Sequence, residues 1–171
     1  MKKVLIAVDD TKASESIFSV FDNLVRPPEE VILLHVERLE GMSLMIDMLG
    51  DAELSILKES LKGTQYKERL DLKAEKILAY YKKKFENGGL VSVRTEIREG
   101  IPSEEIAKMA EEEEVELVIV GCDGKKGLNR LITGCLSKDV ERSSKVPVIV
   151  AKDKEEKEAC DMGRAGILET T

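Results

Sequence analysis

Apolar and polar positions alternate along this chain in two different rhythms, and the rhythms themselves alternate. Val4 to Val8 is an unbroken apolar run, the pattern of a strand buried on both faces. Ile17, Phe18, Phe21, Leu24 and Val25 then recur at helical spacing, with Thr11 or Ser14 near the start and Arg26-Pro27-Pro28 at the end. Val31 to Val36 predicts a second strand. Tyr66, Leu70, Ala74, Ile77, Tyr81 and Phe85 mark one face of a long helix, closed by Asn87-Gly88-Gly89. Leu90 to Ile97 alternates in part and predicts an outer strand. Pro102 opens a helix with Glu104 and Glu105 in its first turn and Ile106, Met109 and Ala110 facing inward. Val115 to Val120 predicts a fourth strand, residues 135–144 a last helix, and Val146 to Ala151 a fifth strand. Strands that alternate with helices favour a parallel sheet with helices on its faces.

Two stretches break the alternation. Residues 41–63 carry Met42, Met45, Ile46 and Leu49 on one helical face, and Leu54, Leu57 and Leu61 on another. They predict a helical insertion, which can be a satellite of the core or a lid or partner surface. Residues 153–171 begin as a charge run without periodicity, the pattern of a flexible tail. The expected domain is therefore 1–152.

Composition narrows the class. A chain of 171 residues, 42% hydrophobic and 36% charged, fits one soluble globular domain. The net charge of −7, with no basic stripe, argues against a nucleic-acid partner. No apolar run approaches the length that spans a membrane. Two lysines lead straight into a strand without a cleavage pattern, and Cys122, Cys135 and Cys160 form neither a disulfide framework nor a zinc pair. A reducing cytoplasm is the expected location.

The candidate chemistry lies in VIVGCDGKKGLNRLITGCLS, residues 118–137. A buried strand stops at Gly121, and Gly124 and Gly134 follow before a helix that starts near Cys135, Leu136 and Ser137. Glycines permit close backbone approach, and a helix start offers free N–H groups to an anion. This is the pattern of a phosphate cradle.

Gly121-x2-Gly124-x9-Gly134 followed by a small residue resembles the ATP-binding signature of the universal stress proteins. MKKVLIAVDD, EEVILLHVE, GIPSEEIAKMAEE and VPVIVAKD are similar to the family in the same order. The resemblance implies an open twisted five-stranded parallel sheet of order 3-2-1-4-5, Rossmann-like and akin to the adenine nucleotide alpha hydrolases. Asp9 and Gly121 then end the two strands between which the order reverses, where open α/β sheets bind ligands. It further implies ATP, ADP or AMP as ligand, with Mg2+ or Mn2+ carried by the phosphates. A homodimer through the fifth strand and a signalling protein partner of unknown identity complete the expectation.

Residue by residue, Asp9 matches an acidic position that contacts the nucleoside, although an N-cap of the following helix is an equally ordinary role for Asp. Ala7, Val8 and Val36 would line the adenine pocket or simply belong to the core. Cys135 stands where the family has Ser or Thr. A thiol is a weak donor, so a bond to phosphate is weakened, while the backbone N–H groups of Cys135 and Leu136 and the Ser137 hydroxyl remain. Cys135 can also be read as a redox-active thiol at a helix start. Lys125, Lys126 and Arg130 can screen phosphates or stay solvated. His35, the single histidine, lies in a strand and reads as a satisfied core residue rather than a general base.

Enzyme readings lack parts. No Gly-x4-Gly-Lys-Ser/Thr loop and no Gly-x-Ser-x-Gly elbow occur, and Asp9-Asp10-Thr11-Lys12 replaces the Ser-Gly-Gly loop of the related ATP pyrophosphatases. The sequence favours binding over turnover, with slow ATP hydrolysis at most. A scaffold that has lost nucleotide binding is the other class of reading, and Cys135 is the residue that favours it.

Overall fold

The computed structural model describes residues 1–24, 26–38, 50–89, 92–121 and 136–152. Its strands are β1 (Lys3–Ala7), β2 (Glu30–Glu37), β3 (Ser92–Glu99), β4 (Leu117–Gly121) and β5 (Val148–Ala151). Its helices are α1 (Lys12–Leu24), α2 (Asp51–Leu61), α3 (Gln65–Asn87), α4 (Pro102–Glu112) and α5 (Leu136–Ser143). The strands form a single sheet of order β3-β2-β1-β4-β5, and every pair is parallel. The expected architecture is the observed one.

Strand alternation sorts the core into two layers. Val4, Ile6, Val31, Leu33, Leu117 and Ile119 face α1 and α3, whereas Leu5, Ile32, Leu34, Val118 and Val120 face α4 and α5. Leu5, Ile6, Ile32, Leu33, Leu34 and Ile119 are wholly buried. Each such side chain contributes roughly 1.5–3 kcal/mol relative to exposure. This explains why β1, β2 and β4 read as continuous apolar runs.

Helix ends follow their local chemistry. Thr64 caps α3 by accepting the Lys67 N–H, and the chain leaves that helix through Gly89 at φ +75. Phe18 and Phe21 of α1 pack on Phe85 of α3 with ring centroids 4.4 and 5.0 Å apart. Pro102 sits in the first turn of α4, as expected, and Glu114 follows that helix at φ +51.

Some boundaries differ from the sequence pattern. Val115 is buried in the turn after α4, and β4 starts only at Leu117. Val146 precedes β5, with Pro147 beside it. The part of the expected insertion that is described is α2, whose Leu54, Leu57 and Leu61 are half-buried while Ile56 stays 70% exposed. The Met42 face, Leu90 and the tail 153–171 lie outside the described residues. Among the described residues, no helix is long and apolar enough to cross a membrane.

Candidate functional site

The order of the sheet reverses between β1 and β4, and a cleft opens at the carboxyl ends of these strands. Its wall comprises Ala7, Val8, Asp9 and Ser14 from β1 and the turn into α1, and Leu34, Val36 and Arg38 from β2 and its end. Pro102 and Ile106 of α4, Val120 and Gly121 of β4, and Leu136 of α5 complete it. Six of the expected site residues therefore meet in one place: Ala7, Val8, Asp9, Val36, Gly121 and Leu136. Ser137 is buried beside Leu136 and is not among the residues of the wall. Gly124, Gly134 and Cys135 lie outside the described residues, as do Lys125, Lys126 and Arg130.

The Asp9 end of the cleft is anchored by hydrogen bonds. Val8 extends the ladder past the strand end, its N–H donating to the Leu34 carbonyl at 2.9 Å. The Val8 carbonyl accepts from His35 Nδ1 at 2.8 Å, so that nitrogen carries a proton. His35 is thus hydrogen-bonded, as expected, but only partly buried rather than in the core. Asp9 Oδ1 accepts from Thr11 N at 2.9 Å, Thr11 Oγ1 at 2.5 Å and Ser14 Oγ at 2.7 Å. The Asp9 N–H in turn donates to Ser14 Oγ at 3.0 Å. Asp9 therefore closes the turn between β1 and α1 by holding Thr11 and Ser14, and forms part of the cleft wall. The neighbouring Asp10 pairs with Lys73 of α3 at 2.8 Å. The hydrogen bond and charge of Lys73 hold the Asp10 carboxyl below its usual range.

Apart from Ser14 and the exposed Arg38, the remaining wall is apolar. Ala7, Leu34, Val36, Val120, Ile106 and Leu136 belong to the layer beneath α4 and α5. They suit a flat apolar ring edged by backbone polar groups. A wider groove lies between α4 and α5, lined by Lys108, Glu111, Glu114, Lys145 and Val146 among others. It starts from the opposite end of the sheet, and its Lys145 and Glu111 already pair at 2.6 Å.

Sequence reasoning missed Ser14 as a cleft residue, together with Leu34, Arg38, Pro102, Ile106 and Val120. Two signals were present. Leu34 shares strand parity with Val36, and Pro102 opens the helix that follows β3, so its first turn faces the carboxyl end of the sheet.

Comparison with known proteins agrees with this geometry. The model of the universal stress protein family matches residues 1–152. Universal stress protein MJ0577 of Methanocaldococcus jannaschii is 33% identical over 159 residues, covering 90% of this chain and 96% of that protein. The solved structure of MJ0577 superimposes with a TM-score of 0.64 over 90% of this chain and 96% of that one, at 31% identity. A universal stress protein of Arabidopsis thaliana solved with AMP bound has a TM-score of 0.58 at 17% identity, covering 91% and 95% of the two chains. Another, in complex with cAMP, has a TM-score of 0.55 at 13% identity, covering 88% and 96%. The last two likenesses bear on the fold. The match across 152 residues and the identity to MJ0577 bear on descent: the chain belongs to the universal stress protein family.

Proposed function

We propose that this protein binds an adenine nucleotide in the cleft between β1 and β4 and acts as a regulatory module in a cytoplasmic stress response. The observation that carries the reading is that Asp9 and Gly121 line one cleft at the point where the strand order reverses. ATP is the favoured ligand, with ADP or AMP as alternatives and Mg2+ or Mn2+ carried by the phosphates. The AMP and cAMP complexes of proteins with the same fold support an adenine ligand. Within this reading the base lies against Ala7, Val36 and Val120, and Asp9 accepts from the nucleoside. Gly124, Gly134, Cys135, Leu136 and Ser137 meet the phosphates.

The working unit is residues 1–152, and two copies pair through β5. The half-buried Val148, Ile149 and Val150 on a strand with a single neighbour in the sheet support that pairing. A second reading, favoured by Cys135 in place of Ser or Thr, is a dimeric scaffold that has lost its nucleotide. Mass spectrometry of small molecules released from purified protein, with calorimetric titration of ATP and AMP, separates the two. A co-purifying adenine nucleotide and saturable binding support the first reading. Their absence under both measurements overturns it in favour of the scaffold.

A further inference from the structure

α3 buries one side against the sheet and gathers on the other a charge opposite in sign to that of the whole chain. Ala74, Ile77, Leu78, Tyr81 and Phe85 form its buried side. The helix holds seven Lys and Arg against four Asp and Glu, in a chain of net charge −7. Along the sequence these cations are scattered among Glu68, Asp71 and Glu75, and helical spacing sorts them. Arg69, Lys76 and Lys83 recur every seven residues and are all exposed. They form a line about 20 Å long. Among the described residues, Lys76 and Lys83 make no ion pair, and Arg69 donates only to the Gln65 carbonyl of its own helix. The nearby Lys73 is already engaged with Asp10.

Two exposed apolar groups flank the line, Leu72 at 55% and Tyr80 at 51% exposure. Tyr80 is held on two sides. Its ring meets that of the buried Tyr81 edge-on at 5.1 Å, and Lys84, which lies 4.4 Å over the Phe18 ring, donates to its hydroxyl at 3.4 Å. The phenol proton of Tyr80 has no acceptor among the described residues, so it is available to a carboxylate. A fixed, half-exposed aromatic beside unpaired cations has the make-up of an interface anchor. Leu72 and Ala79, also seven residues apart, lie between the cations and a parallel line of Glu68 and Glu75.

A lipid surface takes up an apolar helix face, and α3 has committed its own to the core. A phosphate backbone would meet Glu68 and Glu75 together with the cations. A helix lying along α3 repeats at the same interval, so it can answer each line of charge separately. We propose that the exposed side of α3 is a docking surface for an acidic amphipathic helix of another protein. Its carboxylates recur every seven residues and meet Arg69, Lys76 and Lys83, while its apolar side chains cover Leu72 and Tyr80. Such a contact is exposed at its edges, so it weakens as salt rises.

Fluorescence anisotropy with synthetic helices of roughly four heptads tests it, with Leu along the seam and either Glu or Lys at the flanking positions. The full chain should bind the Glu peptide saturably, and roughly tenfold or more tighter than the Lys peptide. Lys76→Glu combined with Lys83→Glu should reverse that preference, and Tyr80→Ala should weaken the Glu peptide while the preference stays. If the double charge reversal fails to fold, Lys76→Gln with Lys83→Gln should narrow the ratio in its place. No saturable binding of the Glu peptide, or a preference for it that survives the substitutions, overturns the inference. Binding of heparin or of phosphatidylserine vesicles instead of the peptide overturns it in favour of a polyanion or a lipid surface. A smaller species on light scattering of the double variant than of the wild type overturns it in favour of a second copy of this chain.

Discussion

Lys67 Nζ stands 2.5 Å from Glu37 Oε2 and ties the carboxyl end of β2 to the first turn of α3. The same ammonium meets Asp71 at 2.5 Å and Glu99 of β3 at 2.6 Å, and Lys58 of α2 donates to the Glu99 carbonyl at 2.8 Å. The cluster thus fastens the ends of β2 and β3 to the two helices that follow β2. It holds more negative than positive charge. The Glu37 side chain is 1% exposed, and its Oε1 is buried without a hydrogen-bond partner. Burial therefore raises the Glu37 carboxyl above its ordinary value of 4.5, against the pull of Lys67 and with the help of Asp71. Burial draws Lys67 down, but its bonds to Asp71, Glu37 and Glu99 outweigh it and hold the ammonium above its usual range.

Glu37→Gln should stabilise the protein at neutral pH. The folded state binds the Glu37 proton more tightly than the unfolded chain, so wild-type stability falls as pH rises above 4.5 through the raised value. A neutral amide of the same shape removes that loss. Melting curves of the two proteins should separate at neutral pH and converge as pH falls toward 4.5. A variant that melts lower than wild type at neutral pH would show that the Lys67 bond outweighs the buried charge.

Gly100→Ala should cost about 1–2 kcal/mol in denaturant unfolding. Gly100 has φ +148, and an added Cβ would lie 3.2 Å from Glu105 Cγ. Its N–H also donates to the Glu37 carbonyl at 3.2 Å, so the strain falls on the turn that presents Pro102 to the cleft.

Glu114→Gly should stabilise by about 0.5–1 kcal/mol. Glu114 holds φ +51 after α4, where the Val115 N–H reaches back to the Ala110 carbonyl at 3.1 Å. Glycine is the favoured residue at that left-handed position, and relief of the strain should exceed its added chain entropy. An unchanged or lower denaturation midpoint would count against this account.

Cys135→Ser should tighten ATP by about tenfold or more, because it restores a hydroxyl donor to phosphate. Gly124→Val should abolish binding of labelled ATP while the far-ultraviolet spectrum is kept. A flat affinity in the first variant removes the Cys135 side chain from the phosphate site, and full binding in the second removes the glycine loop.

Light scattering should report a dimer for the full chain and for a chain ended at Asp153. Ile149→Lys should shift both to monomer, since Ile149 lies on β5, the last strand in the order of the sheet. A monomer in both unsubstituted chains would end the pairing proposal. A monomer that dimerises only when shortened would mean that residues beyond Asp153 cover the edge.

Much of this molecule was legible in its sequence because burial leaves a local trace. Val4 to Val8 and Val118 to Val120 are apolar throughout because both faces of the sheet are covered, and Asp9 and Gly121 are the residues at which those runs stop. The spacing of the glycines, with the order of the motifs around them, pointed to the family and through it to the strand order. Other features required the tertiary structure. The charge of the Glu37 carboxyl depends on its burial and on Lys67, brought from α3. Arg38, Pro102 and Ile106 join the cleft only because β2 ends and α4 begins beside the ends of β1 and β4. Periodicity records whether a residue is buried, through the repeat of its own strand or helix. It carries no record of which distant side chain is packed against it, and hydrogen bonds and charge pairs are decided by that contact.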